Sequence, residues 1–138
     1  MPPDMMALLL AFAASDFAPP PESLAGELRA AIWHDLGVNA MIGNGNWIAS
    51  LWYRAGSEDA GDLHIEELAC RGLDAARECR FNLLRDGGVK EVSRDVPAPD
   101  RLTCTARLVR HADAWAVEHA PVRAGHGQTS MHCTVGKE

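Results

Sequence analysis

The sequence predicts an α+β protein in which one long central helix packs on an antiparallel sheet. Between Gly61 and Arg80 the apolar residues recur at the spacing of one helical face. This stripe comprises Ile65, Leu68, Ala69, Gly72, Ala76 and Cys79. From Arg101 to Val135 apolar and polar residues instead alternate with the period of two that is typical of strands.

Other elements are predicted on both sides of this helix. Glu22–Leu36 has helical periodicity and is followed by Gly37, a common residue at helix ends. The pair Asn44–Gly45 predicts a hairpin turn leading into a strand at Trp47–Tyr53, whose dense aromatic residues indicate burial or a subunit contact. Ala55–Ala60 is a polar loop.

The second half of the chain has the clearer strand signals. Phe81–Arg94 contains the turn residues Asp86-Gly87-Gly88 between two short extended pieces. In Leu102–Arg110 every second residue is apolar, which predicts a strand with one buried face. Turns at His111–Asp113 and in the region of Gly125–Gly127 separate it from two further strands and predict a three-stranded meander.

The chain of 138 residues is long enough for one domain with a core. We assign 22–138 to that domain and 1–21 to an N-terminal extension ending in the hinge Pro19-Pro20-Pro21. Met5–Ala14 resembles the apolar core of a signal peptide. A signal peptide begins with positive charge, but no Lys or Arg precedes this segment and the acidic Asp4 does. A short helix capped by Asp4 is therefore the preferred interpretation.

The net charge and the lengths of the apolar runs argue against nucleic acid and membranes as partners. The formal net charge of −6 argues against nucleic acid and anionic membrane surfaces. No apolar run approaches the roughly 20 residues that a membrane-spanning helix needs.

The four cysteines are predicted to be thiols in a reducing compartment, which favours a cytoplasmic location. Cys70 and Cys79 would lie roughly 13 Å apart on an intact helix, beyond the reach of a disulfide. Cys104 and Cys133 fall in different predicted strands and could be neighbours.

The order of these elements resembles the hotdog-fold thioesterases, in particular the small PaaI-like acyl-CoA thioesterases. The resemblance covers roughly residues 22–135. It depends on four segments, in each of which the residues are similar to a family motif: Leu36-Gly37-Val38, Gly61-Asp62-Leu63-His64, Asp74-Ala75-Ala76 and Asp100–His111. It implies a hotdog-like sheet wrapped around the central helix, and subunits joined into a homodimer or homotetramer.

The resemblance also implies an acyl-CoA thioester site between subunits, with no cofactor. A backbone N–H at the helix start would polarise the thioester carbonyl, and a carboxylate would attack it or activate water. The implied catalytic residues are Asp74, His64 and Glu67, and the implied substrate-binding residues are Gly61, Ile65 and Glu66. The family has Gly-Gly where this chain has Ile65 and Glu66, and Glu78 is an alternative carboxylate.

Simpler interpretations exist for these residues. Asp74 can form ion pairs with Arg71 and Arg77 on an exposed helical face, and His64 can be a capping residue. Four potential metal ligands cluster near the C-terminus: His119, His126, His132 and Cys133. We expect no metal site there, because His132 and Cys133 point to opposite faces of a strand.

Thioester hydrolysis is therefore the predicted function. One alternative is a non-catalytic hotdog-like module that binds acyl groups or a protein. The other is a small secreted or immunity-type binding protein, which requires the N-terminal segment to be a signal peptide.

Overall fold

In the described residues, two α-helices are combined with an antiparallel sheet of five strands. The computed structural model describes residues 16–42, 46–55, 60–72, 74–93, 96–120 and 128–136. Helix α1 spans Glu22–Ile42 and helix α2 spans Trp47–Ala55. A 3-10 turn at Ala60–Asp62 leads into the strands. This order confirms the predicted α+β class, although the two helices precede the sheet.

The main sheet is antiparallel throughout and has the order β1-β2-β5-β6, with β7 also paired to β5. Its strands are β1 (Leu63–Arg71), β2 (Ala76–Arg85), β5 (Arg101–His111), β6 (Ala114–Val117) and β7 (His132–Val135). A separate two-stranded sheet joins β3 (Lys90–Ser93) to β4 (Val96–Ala98).

The predicted central helix at Gly61–Arg80 is wrong, because this segment forms the β1–β2 hairpin. A bulge interrupts the pairing between Glu66 and Ala69, and Glu67 has a positive φ of 55°. The extra residue places Ile65 and Leu68 three positions apart instead of two, which imitates helical spacing. Gly72, included in the apolar stripe, has a φ of 103° in the hairpin turn.

The predicted strand at Trp47–Tyr53 is also wrong, because these residues form most of α2. Ala49, Trp52 and Ala55 are its buried residues, spaced three apart as on one helical face. Gly37 does not end α1, which continues to Ile42. A Cβ at Gly37 would lie 3.4 Å from the Tyr53 hydroxyl, an ordinary van der Waals distance, so α2 packs close to α1 at this position.

The prediction for Leu102–Arg110 is confirmed by β5, in which the apolar residues are buried and the polar ones exposed in alternation. The turn at Asp86–Gly88 is confirmed, and Gly87 and Gly88 both have positive φ. The β5–β6 hairpin turns at Ala112 as predicted. The meander is confirmed in part: the segments after β6 and before β7 pair with each other at the His119–Thr129 bridge, but β7 itself pairs with β5.

One hydrophobic core lies between α1, α2 and the inner face of the sheet. Leu28, Ile32 and Leu36 supply the apolar stripe of α1, as the sequence predicted. The sheet contributes buried residues from facing positions of β2 and β5. These are Cys79, Phe81, Leu83, Leu102, Cys104, Ala106 and Leu108.

All four cysteines form disulfides, which contradicts the prediction that they are thiols. Cys70 and Cys79 face each other across β1 and β2 with their Cα atoms 4.0 Å apart. Cys104 and Cys133, predicted as possible neighbours, pair across β5 and β7 at 4.1 Å. The predicted distance of roughly 13 Å between Cys70 and Cys79 applies to a helix, whereas in the β1–β2 hairpin the two residues are directly opposite.

Residues 16–18, assigned to the extension, are attached to the sheet. Ala18 exchanges two backbone hydrogen bonds of 2.9 Å with Cys70. The Phe17 ring lies under the guanidinium groups of Arg71 and Arg80, at 4.6 and 4.5 Å.

Several predictions lie outside the described residues. They are the capped helix or signal-like segment at Met5–Ala14, the Asn44–Gly45 turn, most of the Ala55–Ala60 loop, the turn around Gly125–Gly127, and His126. Neither described helix is long and apolar enough to cross a bilayer.

Candidate functional site

The most distinctive surface of the described residues is a cleft between the two helices, which we call the α1–α2 surface. The cleft has a volume of about 570 Å³. Its lining comes from one side of α1 and the end of α2: Trp33, His34, Gly37, Val38, Ala40, Met41, Tyr53 and Arg54. Because Trp33, Gly37 and Met41 follow each other at intervals of four, they form one row along α1.

The floor of the cleft is a packed group of aromatic rings. Trp33 stacks on Trp52 with ring centroids 5.9 Å apart and an angle of 19° between the planes. Tyr53 is tilted against Trp33 at 6.4 Å. Trp52 is fully buried, so it anchors the other two rings in fixed positions.

One large apolar side chain extends into solvent from the lining of this cleft, and a second does so from the other end of α2. Met41, near the end of α1, is 84% exposed, and Trp47, at the start of α2, is 68% exposed. A single exposed apolar residue is ordinary on a protein surface. Here two lie on the helices that form an aromatic cleft, so together they add apolar surface to these helices.

Arg54 fixes the geometry of the α1–α2 surface. Its Nε donates a hydrogen bond of 3.0 Å to the carbonyl oxygen of Ala40, and Nη2 donates to the same oxygen. The last carbonyls of a helix have no partner within the helix. Arg54 therefore supplies donors to the end of α1 from α2 and holds the two helices at one separation.

A second cluster of polar side chains lies inside the protein, around Asp35 of α1. Asp35 is only 4% exposed. Its Oδ1 lies 2.5 Å from His119 Nε2, and its Oδ2 accepts hydrogen bonds from Thr129 Oγ1 at 2.7 Å and Asn39 Nδ2 at 3.0 Å. His119 and Thr129 pair across the sheet as an isolated bridge. This cluster therefore attaches α1 to the chain segments that follow β6 and precede β7.

An Asp–His pair can also act in acid–base catalysis, so the groups around it decide between a catalytic and a structural role. All three donors converge on one buried carboxylate, and Thr129 donates its hydroxyl proton to it. A hydroxyl committed in this way is not poised as a nucleophile. Asp35, His119 and Thr129 do not line the cleft of the α1–α2 surface. The geometry fits a structural attachment better than a catalytic site.

The predicted catalytic residues do not come together. His64 lies at the start of β1 and Asp74 lies beyond its end, in the hairpin turn. At about 3.3 Å per strand residue they are roughly 25 Å or more apart along the hairpin. Glu67 sits in the bulge between them, where its Oε2 accepts a hydrogen bond of 2.7 Å from Asn82 Nδ2.

The predicted substrate-binding residues are also dispersed. Gly61 belongs to the 3-10 turn, Ile65 is half-buried and packs against the core, and Glu66 is exposed. No α-helix begins at these residues, so the α-helix N-terminus that the thioester site required is absent from this part of the described chain. Asp74 adopts a φ of 63°, a conformation that Asp and Asn tolerate in turns.

His64 forms an exposed ion pair, with its Nε2 2.8 Å from Asp86 Oδ2. The hydrogen bond to Asp86 raises the pKa of His64 above 6.5. Desolvation opposes this change, and the charges of Asp86, Glu66 and Asp62 reinforce it. The pair therefore stabilises the fold fully below the unfolded-state pKa of about 6.5. This stabilisation is lost as the pH rises through the higher folded-state pKa.

We expect Asp86→Asn to return the pKa of His64 towards 6.5, because the amide keeps the size of the side chain but removes its charge. An NMR titration of the histidine ring protons measures this pKa. Asp113→Asn, in the exposed β5–β6 turn, is the control and should leave it unchanged. An unchanged pKa in Asp86→Asn would show that the ion pair does not form.

Among the described residues no group of three or more His, Cys, Asp or Glu is placed to hold a metal ion. Cys133, one of the four potential ligands near the C-terminus, is in a disulfide. His119 is committed to Asp35.

Comparison with known proteins adds no family. No protein-family model matches the chain, no curated protein matches it, and no solved structure matches it. The fold and the α1–α2 surface define an α+β protein with two disulfides and an aromatic cleft.

Proposed function

We propose that this is a disulfide-stabilised binding protein whose α1–α2 surface docks a protein partner. The observation that carries the proposal is the exposure of Met41 in the cleft walled by Trp33 and Tyr53, with Trp47 also exposed at the other end of α2. The proposal joins the protein-binding role of the non-catalytic alternative, without its hotdog-like fold, to the secreted alternative.

The composition of the surface supports a protein partner. Tryptophan, tyrosine, methionine and arginine are enriched at protein interfaces, and Trp, Tyr and Arg dominate their energetic hot spots. The α1–α2 surface has all four types in Trp33, Tyr53, Met41 and Arg54. Its aromatic floor and the Arg54 clamp hold the surface in place before binding, which reduces the entropy cost of association.

The disulfides support an oxidising compartment, such as the cell exterior or a periplasm. Disulfides persist there and are rare in the cytosol. Both pairs connect neighbouring strands of the sheet. We therefore propose an extracellular or periplasmic location in place of the cytoplasmic one.

Thioester hydrolysis in a hotdog-like fold stays an untested prediction. Its site depended on a helix at His64, where the chain forms a strand. Assay of a panel of acyl-CoA thioesters, with Asp74→Asn beside the unchanged protein, tests it directly. Hydrolysis above background that Asp74→Asn abolishes would favour the enzyme over the binding protein.

The docking proposal is tested by site-specific photo-cross-linking in the producing cell. We place p-benzoylphenylalanine at Met41, in a chain with Trp47 intact and in one with Trp47→Ser. A discrete cross-linked product is expected from the first chain and not from the second. If the product is a dimer of this chain, the partner is a second copy, as the predicted homodimer would require.

The matched control is the same cross-linker at Val135, an apolar residue that is 61% exposed on β7. No product, or the same product from Met41 and Val135, would contradict the proposal.

Trp47→Ser should also leave the stability nearly unchanged. The side chain is mostly exposed, and substitutions at such sites usually change the free energy of unfolding by less than about 0.5 kcal/mol. Urea denaturation measures this change. A decrease in the free energy of unfolding above about 1 kcal/mol would instead mean that Trp47 stabilises the fold, which contradicts a role in partner binding alone.

A further inference from the structure

Arg85 is a buried cation at the end of β2. It is 8% exposed, and it lies opposite Leu63 in the β1–β2 pairing. Its Nη2 donates a hydrogen bond of 2.8 Å to the carbonyl oxygen of Trp52 in α2. Its Nε is buried and has no hydrogen-bond partner among the described residues.

No carboxylate among the described residues lies within 4.0 Å of this guanidinium. Burial lowers the pKa of Arg85, and the more distant charges of Asp100 and Asp62 act in the opposite direction. A buried charge without a close partner is unfavourable, and arginine is well suited to binding carboxylate or phosphate groups. The ring of Trp52, 5.9 Å from the guanidinium carbon, provides only partial compensation.

A cleft of about 260 Å³ opens beside Arg85. Its lining comes from α2, the 3-10 turn and the β2–β3 turn: Ala55, Asp62, Arg85, Asp86, Gly87, Gly88, Val89 and Lys90. Lys90 brings a second positive charge to the cleft. A Cβ at Gly87 or Gly88 would meet nothing within 4 Å, so the turn leaves open space for a bound group.

The acidic residues of the cleft restrict what it can bind. Asp86 is paired with His64, which offsets its charge. Asp62 has no such ion pair among the described residues, so it disfavours a polyanion and can accept a hydrogen bond. The volume lies below the range of about 300 to 1,000 Å³ that drug-sized ligands occupy. A small molecule with one negative charge fits these conditions.

We propose that this cleft binds a small monocarboxylate that also carries a hydroxyl or amino group. The carboxylate accepts hydrogen bonds from Arg85 and Lys90, and the hydroxyl or amino group donates to Asp62. The cleft is separate from the α1–α2 surface, so this proposal is independent of the proposed function.

The test is an NMR titration of the intact oxidised protein with glycolate at constant ionic strength. The backbone amides of Gly87 and Gly88 and the Nε–Hε signal of Arg85 report binding. Saturating shifts are expected with glycolate, weaker binding with acetate, which lacks the hydroxyl, and none with ethylene glycol, which lacks the carboxylate. Sulfate should bind less tightly than glycolate.

Lys90→Gln should weaken glycolate binding at least tenfold. Lys90 lies at the start of β3 outside the core cluster, so this variant avoids the folding risk of replacing the buried Arg85. Arg110→Gln is the matched control, since it removes one positive charge from the exposed end of β5. It should leave binding within about twofold.

Three outcomes would overturn the proposal. They are shifts that do not saturate, equal losses in Lys90→Gln and Arg110→Gln, and sulfate binding as tight as that of glycolate. Each would show that the cleft attracts anions non-specifically and has no site for the monocarboxylate.

Discussion

Replacing Cys104 and Cys133 by alanine is expected to lower the free energy of unfolding by about 3.6 kcal/mol. The bond closes a loop with a sequence separation of 29 residues. In the chain-entropy model, a longer loop loses more freedom in the unfolded state when it is closed, which gives this magnitude. Replacing Cys70 and Cys79 should cost about 2.6 kcal/mol, because their separation is only 9. Urea denaturation at neutral pH measures both losses.

The order of the two losses is the informative result, since both pairs join directly opposed residues of adjacent strands. A larger loss from the Cys70–Cys79 pair would contradict loop closure as the main cause. As a control, adding reductant should lower the stability of the unchanged protein and have no effect on a chain lacking all four cysteines. Uptake of iodoacetamide by the unchanged protein, unfolded without reductant, would show that the bonds do not form.

Replacing Asp35 by alanine is expected to cost about 2 to 5 kcal/mol, because the buried donors of Thr129 and Asn39 lose their acceptor and each unsatisfied group costs about 1 to 3 kcal/mol. The carboxylate receives bonds from Thr129 and Asn39 and lies against His119. Without it, these buried donors have no acceptor, and α1 loses its attachment to the segment beside β7. Thermal and urea unfolding should show the loss.

Asp74→Asn is the control for Asp35→Ala. Asp74 is exposed in the hairpin turn, and asparagine tolerates its positive φ, so a change within about 0.5 kcal/mol is expected. A loss below 1 kcal/mol in Asp35→Ala would mean that the cluster contributes little to the fold.

The second half of the fold could be predicted well, because β5 follows the period of two without interruption. Leu102, Cys104, Ala106 and Leu108 are buried, and the residues between them are half-buried or exposed. The helix α1 was recognisable for the same reason, since its buried leucines follow the helical period. In both elements one periodic pattern extends over the whole length.

The β1–β2 hairpin could not be recognised by periodicity, because the bulge at Glu67 shifts the inward-facing positions by one residue. Leu63 and Ile65 belong to one alternating series, and Leu68 and Cys70 to another. Read as one pattern, the two series have helical spacing. Gly72, with its positive φ, is a turn residue that could have indicated the hairpin. As a small residue it also fitted the apolar stripe of the predicted helix.

The buried cluster around Asp35 and the cleft at Arg85 could not be predicted, because their members are far apart in sequence. Asp35 meets Thr129 across 94 residues, and Arg85 meets Trp52 across 33. The one local signal was Asp35 itself, an acidic residue next to Leu36 with Asn39 one turn later. The dense aromatic residues at Trp47–Tyr53 predicted burial or a subunit contact on a strand, and these residues lie on the helix α2.

The positions of the two disulfides divide the sheet into two closed units. One unit is β1 with β2, and the other contains β5, β6 and β7, since the Cys104–Cys133 bond encloses β6. Between them β2 and β5 are held without a covalent bond, from Ala76 opposite Val109 to Leu84 opposite Arg101. Any partial opening of the oxidised sheet that separates the two units must therefore run along this seam, and amide hydrogen exchange would register it as one cooperative event.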